Sequence, residues 1–313
     1  MLEVVRPDIA GDPETGACWL RRSLSKVQGA LLQMGYRLSR GTIRRLLRQQ
    51  GIRPKSNRKR LKTNPNPQRD TQFRYLQRQR EAFEALKQPI ISVDTKKRER
   101  IGNFAQAGQV WCAQASAVNM HDFASEAIGK AIPHGIYDLQ YHDGYMCVGQ
   151  SADTAEFAVD NLVKWWLNVG CHRYPEATDI LILVDGGGSS SYRARGWKQQ
   201  LQLQLADLCG LTVTVAHYPP GASKWNPIEH RLFSQISQTW AGTPLTSFER
   251  LLQGIRQTTT TTGLTAQAVM VEDTYQTGIK VSDADMAALD IEQHTICPQW
   301  NYTISPRKTE SYF

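Results

Sequence analysis

The 313-residue chain contains no Cys-x-x-Cys pair; its six cysteines (Cys18, Cys112, Cys147, Cys171, Cys209 and Cys297) are scattered. Zinc ribbons need closely grouped cysteines and disulfide frameworks belong to small, cysteine-dense secreted chains, so six scattered cysteines argue for reduced thiols in a cytoplasm instead. Cys171-His172 is too isolated to count as a metal site. Long apolar runs are missing as well. The longest clear one is the few residues around Ile180 to Val184, and no basic segment at the front leads into an apolar stretch, which argues against secretion and membrane insertion. The loop Gly186-Gly-Gly-Ser-Ser190 lacks the Lys-Ser/Thr ending of a nucleotide phosphate loop. Its glycines are read as allowing close backbone approach to a metal site or to a nucleic acid.

What is present is a strongly uneven charge. The formal charge is +8, yet residues 1–62 alone hold 15 Lys and Arg against 4 acids, a net +11, and the remainder is −3. The front end is where a polyanion would dock. Residues 1–17 have no periodicity. From Ser25 to Gln50 the pattern predicts two short helices, with Val27, Leu31 and Leu32 facing Ile43, Leu46 and Leu47, Gly35 between them, Ser39 as a cap and Gly51 as the stop. Arg40, Arg44 and Arg48 then line one outer face, with Arg45 beside them, which is the layout of a helix-turn-helix whose second helix enters a DNA groove. A solvated basic face would look the same. The following run from Arg53 to Lys62, including Arg58, Lys59 and Arg60, favours nucleic acid, because a flexible basic arm neutralises phosphates without reading sequence.

These features divide the chain into a small all-α basic region (1–62), a linker and connecting helix (63–89), an α/β core (90–240) and a C-terminal extension (241–313). Asp70 is expected to cap the connecting helix, whose apolar stripe is Phe73, Leu76, Phe83 and Leu86. In the core, Asp143-Gly144 signals a hairpin turn, and strands alternate with helices over Thr154 to Val169 and Tyr192 to Cys209, predicting a mixed sheet covered by helices. In the extension, Phe248 to Arg256 and Ser282 to Leu289 read as helices and Thr258 to Thr262 as strand-prone.

Three acidic residues carry the chemistry. Asp94 ends the apolar run Ile90-Ile-Ser-Val, Asp185 ends Ile180-Leu-Ile-Leu-Val, and Glu229 falls in the first turn of a helix begun by Asn226-Pro227. Ile228, Leu232 and Ile236 give that helix one buried face. Each acid has an ordinary explanation: Asn226 with Glu229 resembles a capping box, and aspartates cap turns. Together, however, they are what a divalent-metal phosphoryl-transfer site needs, because functional groups gather at the carboxyl ends of central strands. Oxygen ligands without His or Cys select Mg²⁺ or Mn²⁺, and a pair of such ions can activate a hydroxyl and stabilise a leaving oxygen. Lys96, Lys97, Lys224, Trp225, His230 and Arg231 flank this centre as candidates for holding phosphates or stacking on a base.

The strings Ser92-Val-Asp-Thr-Lys-Lys97, Ile101-Gly-Asn-Phe104, Gly129-Lys-Ala-Ile-Pro133, Asp153-Thr-Ala-Glu-Phe-Ala158, Asp185-Gly-Gly and Ser223-Lys-Trp-Asn-Pro-Ile-Glu-His-Arg-Leu-Phe233 resemble the DDE transposases of bacterial insertion sequences, and among them the Rhodopirellula-type DDE transposases. The likeness runs from about Gly11 to Tyr302. It implies a ribonuclease H-like catalytic fold, with the family's two aspartates and glutamate falling on Asp94, Asp185 and Glu229. It further implies Mg²⁺-dependent cleavage at element ends, attack of the freed 3′ hydroxyl on target DNA, a homo-oligomer in the synaptic complex and a nucleoid-associated protein. Family members extend further upstream, so a truncated front end is expected. The alternatives are a non-catalytic DNA-binding repressor and a ribonuclease H-like nuclease.

Overall fold

The computed structural model describes residues 9–11, 18–20, 23–53 and 66–307. It divides into two compact units, Met1–Pro65 and Asn66–Phe313.

In the first unit, β1 (Ile9–Gly11) pairs antiparallel with β2 (Cys18–Leu20), followed by α1 (Leu24–Gln33) and α2 (Arg40–Gln49). The ribbon departs from the all-α expectation. Ser23 and Ser39 cap the helices by accepting from Lys26 N–H and Thr42 N–H. Gly35 and Gly51 close them at φ +86° and +77°, where a Cβ would be strained. Val27 and Leu31 pack on Ile43 and Leu47. Leu32, expected inside, is 54% exposed, because it lies about 100° around α1 from Leu31. Leu46 is only partly buried for the same reason.

The second unit begins with α3 (Arg69–Ala85), whose Tyr75 and Leu76 pack on the sheet. Asp70 stands inside its first turn rather than at the cap, which is Gln68, and Leu86 is exposed beyond its end. The strands are β3 (Ile90–Thr95), β4 (Glu99–Ile101), β5 (Gly129–Asp138), β6 (Asp143–Gly149), β7 (Asp179–Val184), β8 (Thr212–His217), β9 (Thr265–Met270), β10 (Ile291–Gln293) and β11 (Asn301–Ile304). Their order is β10-β11-β8-β7-β3-β5-β6-β9, with β4 added on β5. At the centre β3 runs parallel to β7, β7 parallel to β8, and β5 antiparallel to both β3 and β6. That five-stranded order, with helices between β6 and β7 and between β7 and β8, is a ribonuclease H-like mixed sheet.

Alternation along the strands separates two faces. Ile91, Val93, Ile182, Val184 and Val215 turn to α4 (Ala155–Trp165) and α5 (Arg195–Gln200), each of which runs on through a wider π-type stretch. Thr154 caps α4, and α5 starts at Arg195, later than the expected Tyr192. The opposite face carries Tyr137, Met146 and Val148 against the helix at 227–239 and α6 (Phe248–Arg256).

The turn of the β5–β6 hairpin is residues 139–142, with Asp138 paired to Asp143, so Asp143-Gly144 lies in the strand. Gly144 is there because Leu232 comes so close that an added Cβ would lie 2.4 Å from its Cδ1. Residues 258–262, expected as strand, form a turn before β9. Ser282 and Asp285 form the capping box of the short helix Asp283–Ala287.

Candidate active site

Asp94 and Asp185 occupy equivalent places on neighbouring parallel strands. Val93 pairs with Val184, so each aspartate is the next residue along its strand, roughly 5 Å from its neighbour across the ladder. Leu181 and Leu183 face the α3 side, so alternation turns Asp185 there too, and Ser92 places Asp94 likewise. Glu229 enters from above. The helix that carries it starts after a short turn at Ser223–Trp225, with Ile228, Leu232 and Ile236 fully buried as their spacing predicts.

The capping-box explanation of Glu229 is not realised. Asn226 N–H donates to the Ser223 carbonyl at 2.8 Å, leaving nothing for a reciprocal cap. Ser92, buried in β3, does the capping instead: it accepts from Ile228 N–H at 3.2 Å and donates to Asn226 Oδ1. This polar residue in an otherwise apolar strand is what clamps the helix start to β3, and its place two residues before Asp94 was its only signal.

Gly135 completes the docking. It pairs with Asp94 across β3 and β5, and a Cβ there would lie 2.5 Å from Phe233 Cε1 and 3.0 Å from Ile228 Cδ1. Bare backbone beside Asp94 therefore lets the Glu229 helix descend onto the sheet.

The electrostatics show that the three acids are neighbours. Burial, with the charges of Asp185 and Glu229 acting in the same direction and the Thr95 N–H hydrogen bond opposing them, pushes Asp94 up to about 8. When protonated, Asp94 can donate to Glu229. Asp185 is raised by burial and by Glu229, against the lowering influence of Ser223 and Asn226. Asp185 Oδ1 and Asn226 Nδ2 are nevertheless buried without hydrogen-bond partners. An orphaned carboxylate oxygen among three mutually repelling acids suits a hard cation. Among the described residues, no three His, Cys, Asp or Glu side chains already stand as a ligating group. The acids are adjacent rather than converged.

Asp94 and Asp185 wall an open cleft of about 780 Å³, whose rim includes Lys97, Arg98 and Arg193. Glu229 stands beside that wall, not on it. Asp153, from the string before α4, also reaches the cleft and accepts from Thr95 Oγ1 at 3.2 Å. In the glycine loop, Gly188 takes φ +72°, which explains at least that glycine.

The flanking residues divide. Lys97, Lys224, Arg231 and His230 are exposed, and Trp225 is 52% exposed with its edge on Phe73, so it is not a core residue. His230 Nε2 is committed to the Lys224 carbonyl. Lys96 lines the same cleft but is largely buried, with Nζ 2.7 Å from Glu99 and 4.6 Å from the Trp240 ring centre, contacts that hold the β3–β4 corner. In the first unit Arg40, Arg44, Arg45 and Arg48 are all exposed on α2, whereas Arg58, Lys59 and Arg60 lie outside the described residues.

No helix among the described residues is long and apolar enough to cross a membrane. No curated protein matches the chain. Among solved structures it is similar to the Mos1 transposase paired-end complex with left transposon end, at 16% identity over 77% of this chain and 72% of that one, with a TM-score of 0.44. It is also similar to the Mos1 strand transfer complex, at 15% identity over 77% and 71%, with a TM-score of 0.45. Similarity at that distance assigns no individual residue. The model of the Rhodopirellula transposase DDE domain matches residues 1–306, nearly the whole length. With that match and a sheet that sets two aspartates and a glutamate side by side, the chain belongs to the Rhodopirellula transposase DDE domain family.

Proposed function

We propose that this protein cleaves the ends of a DNA element and joins the freed 3′ hydroxyl to target DNA, with Asp94, Asp185 and Glu229 as its catalytic acids. The observation that carries the reading is the electrostatic contact among these three side chains, drawn from two adjacent strand ends and one helix start far apart in sequence. They would hold Mg²⁺ or Mn²⁺, which when bound supplies Lewis-acid activation of the attacking oxygen and stabilisation of the leaving one. The chain's own part is to keep two hard oxygen donors at the cleft wall and a third beside it. Asp94 must give up its proton to serve, and a cation favours the ionised form that burial opposes.

The DNA lies across the cleft in this reading, its phosphates met by Lys97, Arg98 and Arg193 on the rim and by Lys224 and Arg231 near the helix start. Trp225 offers an exposed ring on which a base can stack. The arginines of α2, Arg40, Arg44, Arg45 and Arg48, supply the groove contacts of the first unit. Two copies joining two element ends would make the working assembly a homo-oligomer.

Purified protein is expected to nick or join DNA carrying the element's terminal repeats in the presence of Mg²⁺ or Mn²⁺, and Asp185→Asn to abolish this without loss of DNA binding. Full activity in Asp185→Asn sinks the assignment. The competing reading, a non-catalytic DNA-binding repressor, rests on the concentrated basic front end and predicts salt-dependent binding with no cleavage. Cleavage of RNA–DNA hybrids or junctions in preference to terminal repeats would instead favour a nuclease.

A further inference from the structure

We propose that His217 is a positioning residue for Asp185, held in turn by a buried amide pair between α3 and the C-terminal strand β11. The proposal builds on the catalytic reading of Asp185 and gives the C-terminal extension a part in it.

His217 ends β8 and is fully buried. Its Nδ1 lies 3.0 Å from the backbone carbonyl of Asp185. A carbonyl only accepts, so Nδ1 carries the proton, and Nε2 is left as a buried acceptor without a partner. An unsatisfied buried group of this kind costs about 1–3 kcal/mol. A phenylalanine would fill the same space between Tyr192 and Tyr302 without that penalty, so packing does not explain the imidazole. The one return visible is the hydrogen bond to Asp185.

That bond falls where β7 gives way to a glycine loop. Asp185 leaves β7 and enters three glycines, and Gly188 is already in the left-handed region. The Val184 carbonyl is fixed by Tyr218 N–H at 2.8 Å, and the Gly186 carbonyl by Ser191 Oγ at 3.1 Å. The carbonyl between them is held by His217. Alternation from Val215 places the imidazole on the α5 face, behind the sheet, so it anchors the peptide while the Asp185 carboxylate points into the cleft.

His217 is itself immobilised through its main chain. Its carbonyl accepts from Gln72 Nε2 at 2.8 Å, and its N–H donates to the Trp300 carbonyl at 3.0 Å. Gln72 and Asn301 are both fully buried and exchange two amide hydrogen bonds of 2.7 Å each. Asn301 also donates to the Ile296 carbonyl at 2.7 Å. Helix α3 and strand β11 thus grip the residue that grips Asp185.

The test compares His217→Phe, which fills the space without a donor, with His217→Asn, whose Nδ2–H can replace Nδ1–H. Amide exchange of the 185–191 peptide in the full chain, read by mass spectrometry without DNA or metal, is expected to rise in His217→Phe and return towards wild type in His217→Asn. Mn²⁺-dependent cleavage is expected to fall roughly tenfold to hundredfold in His217→Phe through turnover, with DNA affinity unchanged. Exchange at 185–191 in His217→Phe equal to wild type, with both variants folded, overturns the proposal, as does equal impairment of the two variants. A wild-type protein that never cleaves DNA overturns the catalytic reading instead, and the exchange result still decides whether His217 fixes the loop.

Discussion

Gly135→Ala should damage the site without touching any proposed catalytic group. The new methyl would sit 2.5 Å from Phe233 Cε1, 2.9 Å from Cζ and 3.0 Å from Ile228 Cδ1, where ordinary contact begins at 3.4 Å. Phe233 must therefore withdraw by about 1 Å, and because it and Ile228 are both buried, the helix moves with them. Overpacking of this kind costs about 1–3 kcal/mol, partly offset by about 0.4–1 kcal/mol from the stiffer unfolded chain. With a urea slope of about 2 kcal/mol/M, the midpoint should fall by roughly 0.3–1 M. Glu229 lies one helical turn before Phe233, and a displacement of about 1 Å at a reacting centre can lower the rate roughly a hundredfold. Urea titration and metal-dependent cleavage of end-containing DNA should both register the change, and adding Phe233→Leu should restore part of each. If Gly135→Ala matches wild type in midpoint and cleavage, the close approach does not position Glu229 and the reasoning fails.

Other consequences can be measured separately. Metal-free protein should lose stability as pH rises between about 4 and 8, because the unfolded chain releases the Asp94 proton near its ordinary value of 3.8 while the folded chain retains it to about 8. Below that window both states are protonated and the contribution is intact; Asp94→Asn should flatten the melting temperature across it, and Mg²⁺ should raise wild type most at its upper end. A wild-type profile identical to Asp94→Asn would contradict the shift. Lys96→Met should lower the melting temperature through the loss of Glu99's partner yet leave the salt dependence of DNA binding unchanged; a shallower salt slope would return Lys96 to the phosphates. Replacing Arg44 and Arg48 with alanine should instead reduce that slope by about one per lost phosphate contact, at unchanged stability, since both are exposed.

The elements that were legible before the structure are those with a strong local signal. The buried faces Ile228, Leu232, Ile236 and Val27, Leu31, the cap at Ser39, and the apolar strands leading to Asp94 and Asp185 all follow from local residue type and spacing. What escaped depended on partners distant in sequence. Asp143-Gly144 has the composition of a turn, but Leu232 needs its bare backbone inside the strand. Lys96 belongs to a basic run, but Glu99 and Trp240 capture it. Asn226 followed by Glu229 looks like a reciprocal cap until Ser92, more than a hundred residues earlier, takes over. Likewise His217 gives no local sign of its bond to Asp185, and neither Gln72 nor Asn301 does of pairing across the chain.

Strand β8 is enclosed on one side only because β11 pairs with it through residues 301–304. Strand β11 is made some ninety residues after β8, so until it has left the ribosome the nascent polypeptide carries an open ribbon, Thr212–His217, with bare main-chain donors and acceptors. A product interrupted before Asn301 would keep that sticky edge, and should accumulate in inclusion bodies rather than as a smaller soluble species.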